Sequence, residues 1–97
     1  MLALAGCATG PVTPRSTATG VVISVDGPSA AEVDRFRLRT NDGEVLEFVV
    51  GRLQLTSGGL PAPHLREHLV NGEPISVDYR DEDGKRVAIR YTDAPIR

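Results

Sequence analysis

Residues 34–50 spell DRFRLRTNDGEVLEFVV, and this stretch limits the possible folds more than any other. Apolar and charged residues alternate on both sides of an Asn-Asp-Gly segment, the period-two pattern of two half-buried strands in a hairpin. Phe36 and Leu38 share one face with Leu46, Phe48 and Val50. Arg35, Arg37 and Arg39 share the other with Val45, Glu47 and Val49. A two-residue Asp42-Gly43 turn would set Arg39 opposite Leu46 and put a charge on the apolar face. A three-residue loop, Asn41-Asp42-Gly43 with Gly43 left-handed, pairs Thr40 with Glu44, Phe36 with Phe48, Leu38 with Leu46 and Arg37 with Glu47. A one-residue slip inverts every side chain, so the longer loop is predicted.

The same construction recurs in ISVDYRDEDGKRVAIRY. Ile75, Val77 and Tyr79 fall on one face, and Val87, Ile89 and Tyr91 are expected beside them. By analogy Glu82-Asp83-Gly84 forms a second three-residue loop, setting Tyr79 opposite Val87, Val77 opposite Ile89 and Asp81 opposite Lys85. Upstream, GVVISVDG groups Val21, Ile23 and Val25 on one face, with Val22 and Ser24 on the other. Between these first strands, Ser29 and Glu32 have capping-box spacing, which admits either a single helical turn or a solvated loop.

One helix is predicted between the third and fourth strands, over His64 to Val70. Pro63 suits its first position, Asn71-Gly72 its C-terminal cap, and Pro74 forbids continuation. Leu65 and Leu69 lie four apart and are expected to plug the core, with Arg66 pointing away. His64, Glu67 and His68 occupy the adjoining face.

The string His64-x-x-Glu67-His68 resembles the motif of the inverted zinc peptidases. In that family both histidines and a distant glutamate from a long following helix bind zinc, and the motif glutamate is the base. No such helix follows Pro74, and the chain has no room for a substrate cleft, so peptidase chemistry is not expected. Two readings remain. His64 and His68 border the core and bond to nearby groups, or they hold a metal with a third ligand drawn from Asp78, Asp81, Glu82 or Asp83. No other catalytic constellation is present: Ser57 lacks the nucleophile-elbow spacing, and there is no phosphate loop.

The chain opens MLALAGCATG. Leu4-Ala5-Gly6-Cys7 resembles the lipobox of bacterial lipoproteins, in which cleavage exposes a cysteine that receives lipid. The resemblance implies lipidation at Cys7 and a place in the bacterial cell envelope, periplasmic or on the outer face. Only six residues precede Cys7 and none is basic, so the signal is truncated as written. A fortuitous lipobox would leave the protein cytoplasmic. Residues 8–19 are rich in Pro, Thr, Ser and Gly, the composition of a flexible tether. The organisation expected is therefore 1–19 signal remnant and tether, 20–93 folded domain and 94–97 tail.

Three meandering strands, a short helix and a final hairpin give the order β1-β2-β3-α-β4-β5. This resembles a five-stranded oligonucleotide/oligosaccharide-binding (OB) barrel and, more narrowly, small envelope domains of bacteria with that order. The expected fold class is mainly β. Such barrels bind through the outer face of strands two and three, which here carries Arg35, Arg37 and Arg39: either an anion-binding stripe or a solvated strand face.

Composition narrows the partners. The chain holds 11 Lys and Arg against 13 Asp and Glu, and only four aromatic residues: Phe36, Phe48, Tyr79 and Tyr91. All four rings share the inward phase, leaving no platform on which to stack bases, so nucleic acid is not expected. A lone cysteine rules out an internal disulfide and a cysteine-rich zinc site. The reading is a monomeric, non-enzymatic, lipid-anchored envelope module that needs no cofactor and binds an envelope protein or anionic ligand. The alternatives are a metal-binding protein using His64 and His68, or a structural or stress-related envelope protein with no dedicated ligand.

Overall fold

The 34–50 hairpin forms in the register its alternation dictates. In the computed structural model, which describes residues 15–95, β2 (Arg35–Thr40) and β3 (Val45–Val50) pair antiparallel, with Phe36 opposite Phe48, Leu38 opposite Leu46 and Arg37 opposite Glu47. Gly43 takes a φ of 89°, and the Thr40 N–H donates to the Glu44 carbonyl at 2.8 Å, which closes the three-residue loop. Phe36 and Phe48 stack with centroids 5.1 Å apart, both fully buried.

The remaining strands are β1 (Ser16–Asp26), β4 (Ile75–Glu82) and β5 (Lys85–Asp93). The sheet closes in the order β1-β2-β3-β5-β4, antiparallel throughout except for the parallel pairing of β3 with β5. This is a closed, mainly β, OB-like barrel with its helix between β3 and β4. The seam that closes the barrel is short, pairing Val49 with Val87 and Val50 with Ala88. β1 joins both halves by pairing first with β4 and then with β2. Gly20 sits at the handover, opposite both Ile75 and Thr40. A Cβ there would lie 2.2 Å from the Arg39 carbonyl oxygen, so the close approach of the two strands requires glycine.

Strict alternation fails in two places, each at a bulge. In β1 the register shifts between Val22 and Ser24, making Ile23 an extra residue. Val22, expected on the face opposite Val25, is therefore buried, and Val25 also packs on the core beyond the bulge. The second departure is in the β4–β5 hairpin. Its loop has two residues, not three: Asp83 and Gly84 both have positive φ, 52° and 78°, and Glu82 pairs with Lys85. Two left-handed residues make the turn whose twist matches the strands. Ala88 thus replaces Val87 on the inner face, opposite Tyr79, and Val87 stands half-buried outside, beside Val49 of β3. A bulge at Ile89 restores the phase, and Tyr91 enters the core opposite Val77.

β1 begins at Ser16, four residues before the domain start expected at residue 20, because β4 offers a free partner edge. Residues 16–20 pair along it, and Ala18 is buried. At the other end Ala94 is buried and its N–H donates to the Pro74 carbonyl at 3.0 Å. Cys7, the expected lipobox around it and residues 8–14 of the expected tether lie outside the described residues.

The helix α1 (Leu65–Asn71) follows a 3-10 turn over Ala62–His64 and ends, as the sequence implies, on a left-handed Gly72 with a φ of 73°. Leu65 is fully buried and plugs the barrel. Leu69 does not: it is 38 % exposed, and His68 takes the second buried position. Helical geometry puts i+3 nearly as close to the facing stripe as i+4. Here the polar groups that can bond an imidazole lie on that side. Arg66 does not point away either. Its guanidinium donates to the Ser29 carbonyl at 3.0 Å and the Glu32 carbonyl at 3.5 Å, tying α1 to the β1–β2 connection. That connection is a β-turn closed by a Ser29–Glu32 bridge.

Candidate functional site

Two clusters of charged side chains are brought together by the barrel, one on its wall and one at its end. The wall site is built by the β3–β5 pairing, which lays the β4–β5 turn beside the outer faces of β2 and β3. Arg35, Glu47 and Val49 then line a cleft of about 370 Å³ together with Gly84, Lys85 and Arg86. Arg35 is held between two carboxylates, its Nε 3.8 Å from both Asp26 Oδ2 and Glu47 Oε2. Three cationic side chains and one anionic side chain line the cleft, so it carries a positive excess although the whole chain does not.

Of the three arginines predicted from the sequence, only Arg35 lines this cleft. Arg37 and Arg39 share its outer face of β2, as the alternation requires, but lie further along the strand. Arg37 donates from Nε to Ser24 Oγ at 3.2 Å. Lys85 and Arg86 are not legible in the sequence as neighbours of Arg35, because only the parallel closure of β3 on β5 brings them there, and no local pattern encodes that pairing. The outer face carries none of the four rings: Phe36, Phe48 and Tyr91 are buried and Tyr79 packs edge-on against Phe48 at 5.1 Å.

The second cluster caps the barrel end, where α1 meets the last residues of β5. His68 is 2 % exposed and has an oxygen close to each ring nitrogen. Its Nδ1 lies 2.8 Å from the Glu73 carbonyl oxygen, and its Nε2 lies 2.7 Å from Asp93 Oδ1. His64, one turn earlier, directs Nε2 toward the same Asp93 oxygen at 3.9 Å and Nδ1 toward Glu67 Oε1 at 3.4 Å. The imidazoles meet edge-on with centroids 4.9 Å apart. Beneath them the Tyr91 hydroxyl donates to the Pro61 carbonyl at 2.6 Å, fastening the start of the helical segment to β5. The Tyr91 phenol is pushed well above its ordinary pKa, chiefly by burial and further by the negative charges of Asp93 and Glu67.

The carboxylate facing the histidines is thus Asp93 and none of Asp78, Asp81, Glu82 and Asp83. Asp78 is instead 3.5 Å from Arg90 Nε, and Glu82 pairs with Arg80 at 2.6 Å. The signal that finds Asp93 is present in the sequence. It lies two residues past the inward Tyr91, so it shares that face where the strand leaves the barrel. Among the described residues no helix is long and apolar enough to cross a membrane. No model of a known protein family matches this chain, and no curated protein matches it in sequence.

Proposed function

We propose that this chain is a non-enzymatic binding module of the bacterial cell envelope, held to a membrane by lipid on Cys7, that takes an acidic protein segment in its wall cleft. The observation that carries the binding half is the convergence of Arg35, Lys85 and Arg86 from two separate hairpins around one half-apolar groove. Val49 supplies an apolar side chain among the three cations and Glu47. That combination suits an extended peptide with alternating carboxylate and aliphatic side chains. OB-like barrels use this same wall for their ligands. The anchoring half rests on Leu4-Ala5-Gly6-Cys7.

A synthetic peptide of alternating glutamate and valine tests the binding half. It should bind the wild-type chain in low salt and weaken as salt rises, since the rim charges are exposed. Arg35→Glu combined with Arg86→Glu should weaken it at least about tenfold by reversing the sign of the rim. Binding that ignores both changes sinks the reading. For the anchor, expression behind an intact signal peptide in a bacterial host should give a product labelled by radioactive fatty acid, and Cys7→Ala should abolish the label.

A further inference from the structure

The geometry points to a divalent transition-metal site at the barrel end, with His64 Nε2, His68 Nε2 and the Asp93 carboxylate as its protein ligands. It shares no residue with the cationic cleft and does not depend on that reading.

The inference starts from the protons. The Glu73 carbonyl oxygen can only accept, so the Nδ1 of His68, 2.8 Å away, carries a hydrogen. Glu67 Oε1, which can only accept, stands 3.4 Å from the Nδ1 of His64 as an ion-pair contact. A neutral imidazole protonated at Nδ1 presents a lone pair at Nε2. Both such lone pairs face Asp93, whose oxygen is itself only an acceptor. The three atoms all lie within 4.8 Å of one another. In that neutral tautomer three acceptors converge with no hydrogen among them. A proton shared between His68 and Asp93 would answer only the 2.7 Å contact and leave the approach of His64 to the same oxygen, at 3.9 Å, unanswered. A divalent cation answers all three.

The second shell fits the same conclusion. Metal-bound histidines commonly donate their remaining N–H to a carboxylate or a backbone carbonyl, which fixes ring orientation and tautomer. Here one ring faces a carboxylate, Glu67, and the other a backbone carbonyl, that of Glu73. The charge balance fits too. The ion pairs that Asp93 makes among the described residues are with these two histidines alone.

The spacing needs little adjustment. Ligand atoms at zinc-like bond lengths in a tetrahedral site sit about 3.3 Å apart. The two contacts to Asp93 Oδ1, 2.7 and 3.9 Å, bracket that value. Asp93 has a side chain 64 % exposed at the very end of β5, so it is free to swing. Two imidazoles and one carboxylate select zinc, cobalt, nickel or copper over magnesium or calcium. The partial exposure of His64, 28 %, leaves an entry path and a position for water.

Zinc chloride titrated into the full chain carrying Cys7→Ser, after stripping with a chelator, tests the site without interference from the thiol. One equivalent should bind, with calcium failing to compete, and saturating zinc should raise the melting temperature. His64→Ala and Asp93→Asn should each weaken binding by at least about tenfold, the size that losing a second-shell partner alone produces. His68→Ala removes a buried group and is expected to unfold the barrel, so it does not decide the matter. His64→Ala does, because its zinc-free melting temperature should stay near that of the parent while the zinc-induced rise disappears. Cobalt in place of zinc should give the visible ligand-field bands of a low-symmetry site, lost in the same two variants. Absence of stoichiometric uptake, or uptake that survives both His64→Ala and Asp93→Asn, overturns the assignment.

Discussion

The two hairpins of this barrel carry nearly the same punctuation, TNDGE and DEDGK, and resolve it differently. In β2–β3 the loop has three residues and only Gly43 adopts positive φ. In β4–β5 it has two, and Asp83 joins Gly84 in the left-handed region. The cause lies in what each strand pair buries next to its turn. A slip in β2–β3 would turn Phe36, Leu38, Leu46 and Phe48 out of the core, so burial fixes the register and the loop conforms. Beside the second turn stand Arg80, Asp81, Glu82, Lys85 and Arg86, none of them core residues. A slip there costs little, the preferred two-residue turn sets the register, and the bulge at Ile89 repairs the phase before Tyr91 must enter the core. Register follows burial in one hairpin and turn chemistry in the other.

That contrast breaks most readily at the rings. Phe48→Ala removes a fully buried ring that stacks on Phe36 and meets Tyr79 edge-on, and should cost about 3–5 kcal/mol. A loss of that size is a large share of the stability of so small a domain. Tyr79→Ala removes the half-buried ring from the second hairpin and should cost roughly 1–2 kcal/mol, since less area leaves the core. Urea unfolding of the two variants measures the gap. Equal losses would mean that the second hairpin is held by burial as firmly as the first.

The turns supply a smaller and sharper test. Asp83→Ala puts a Cβ without a local hydrogen-bonding group at a φ of 52°, and should cost about 1 kcal/mol. Asp83→Asn should be neutral or stabilise by a few tenths of a kcal/mol, because Asn-Gly suits this turn best. In the first loop Asp42 is not left-handed, so Asp42→Asn gains nothing from turn preference there. Chemical denaturation of the three variants side by side would separate the loops, and a matching gain at Asp42 would erase the distinction.

The same contrast explains how much of the molecule is legible in its sequence. Strand order, the single helix, the first hairpin's register and the inward phase of all four rings follow from alternation and turn residues, because each is a local pattern repeated until it is unambiguous. What escaped depends on distant partners. Ile23 and Ile89 look like ordinary members of their strands, and only the pairing across from them makes them bulges. His68 displaced Leu69 from the interior because Glu73 and Asp93 were waiting for an imidazole there. Lys85 and Arg86 joined Arg35 only through the one parallel pairing in the barrel. The candidate sites were thus half visible: one arginine of three, and two histidines without their carboxylate.

The smallest expected effect concerns the hydroxyl that distinguishes the loops. Thr40 donates from Oγ1 to the Asp42 carboxylate, whereas the matching residue of the second hairpin, Asp81, has no hydroxyl to give. The Thr40 hydrogen bond, helped by the Glu44 backbone, holds the Asp42 carboxyl below its ordinary pKa of 3.8. A carboxyl whose pKa is depressed on folding binds its proton less readily in the native state. Its contribution is therefore complete above the ordinary carboxylate range and disappears as pH falls through the depressed value. Asp42 is fully exposed, so the effect is modest and weakens with salt. Thr40→Val should lower the urea midpoint slightly at neutral pH, and the difference from wild type should shrink toward zero in strongly acidic buffer. A midpoint difference that persisted unchanged into acid would instead assign the Thr40 effect to its 3.3 Å contact with the Glu44 carbonyl, which carries no titrating group. The first loop would then be held by backbone, burial and the Thr40 hydroxyl, with no contribution from a charge.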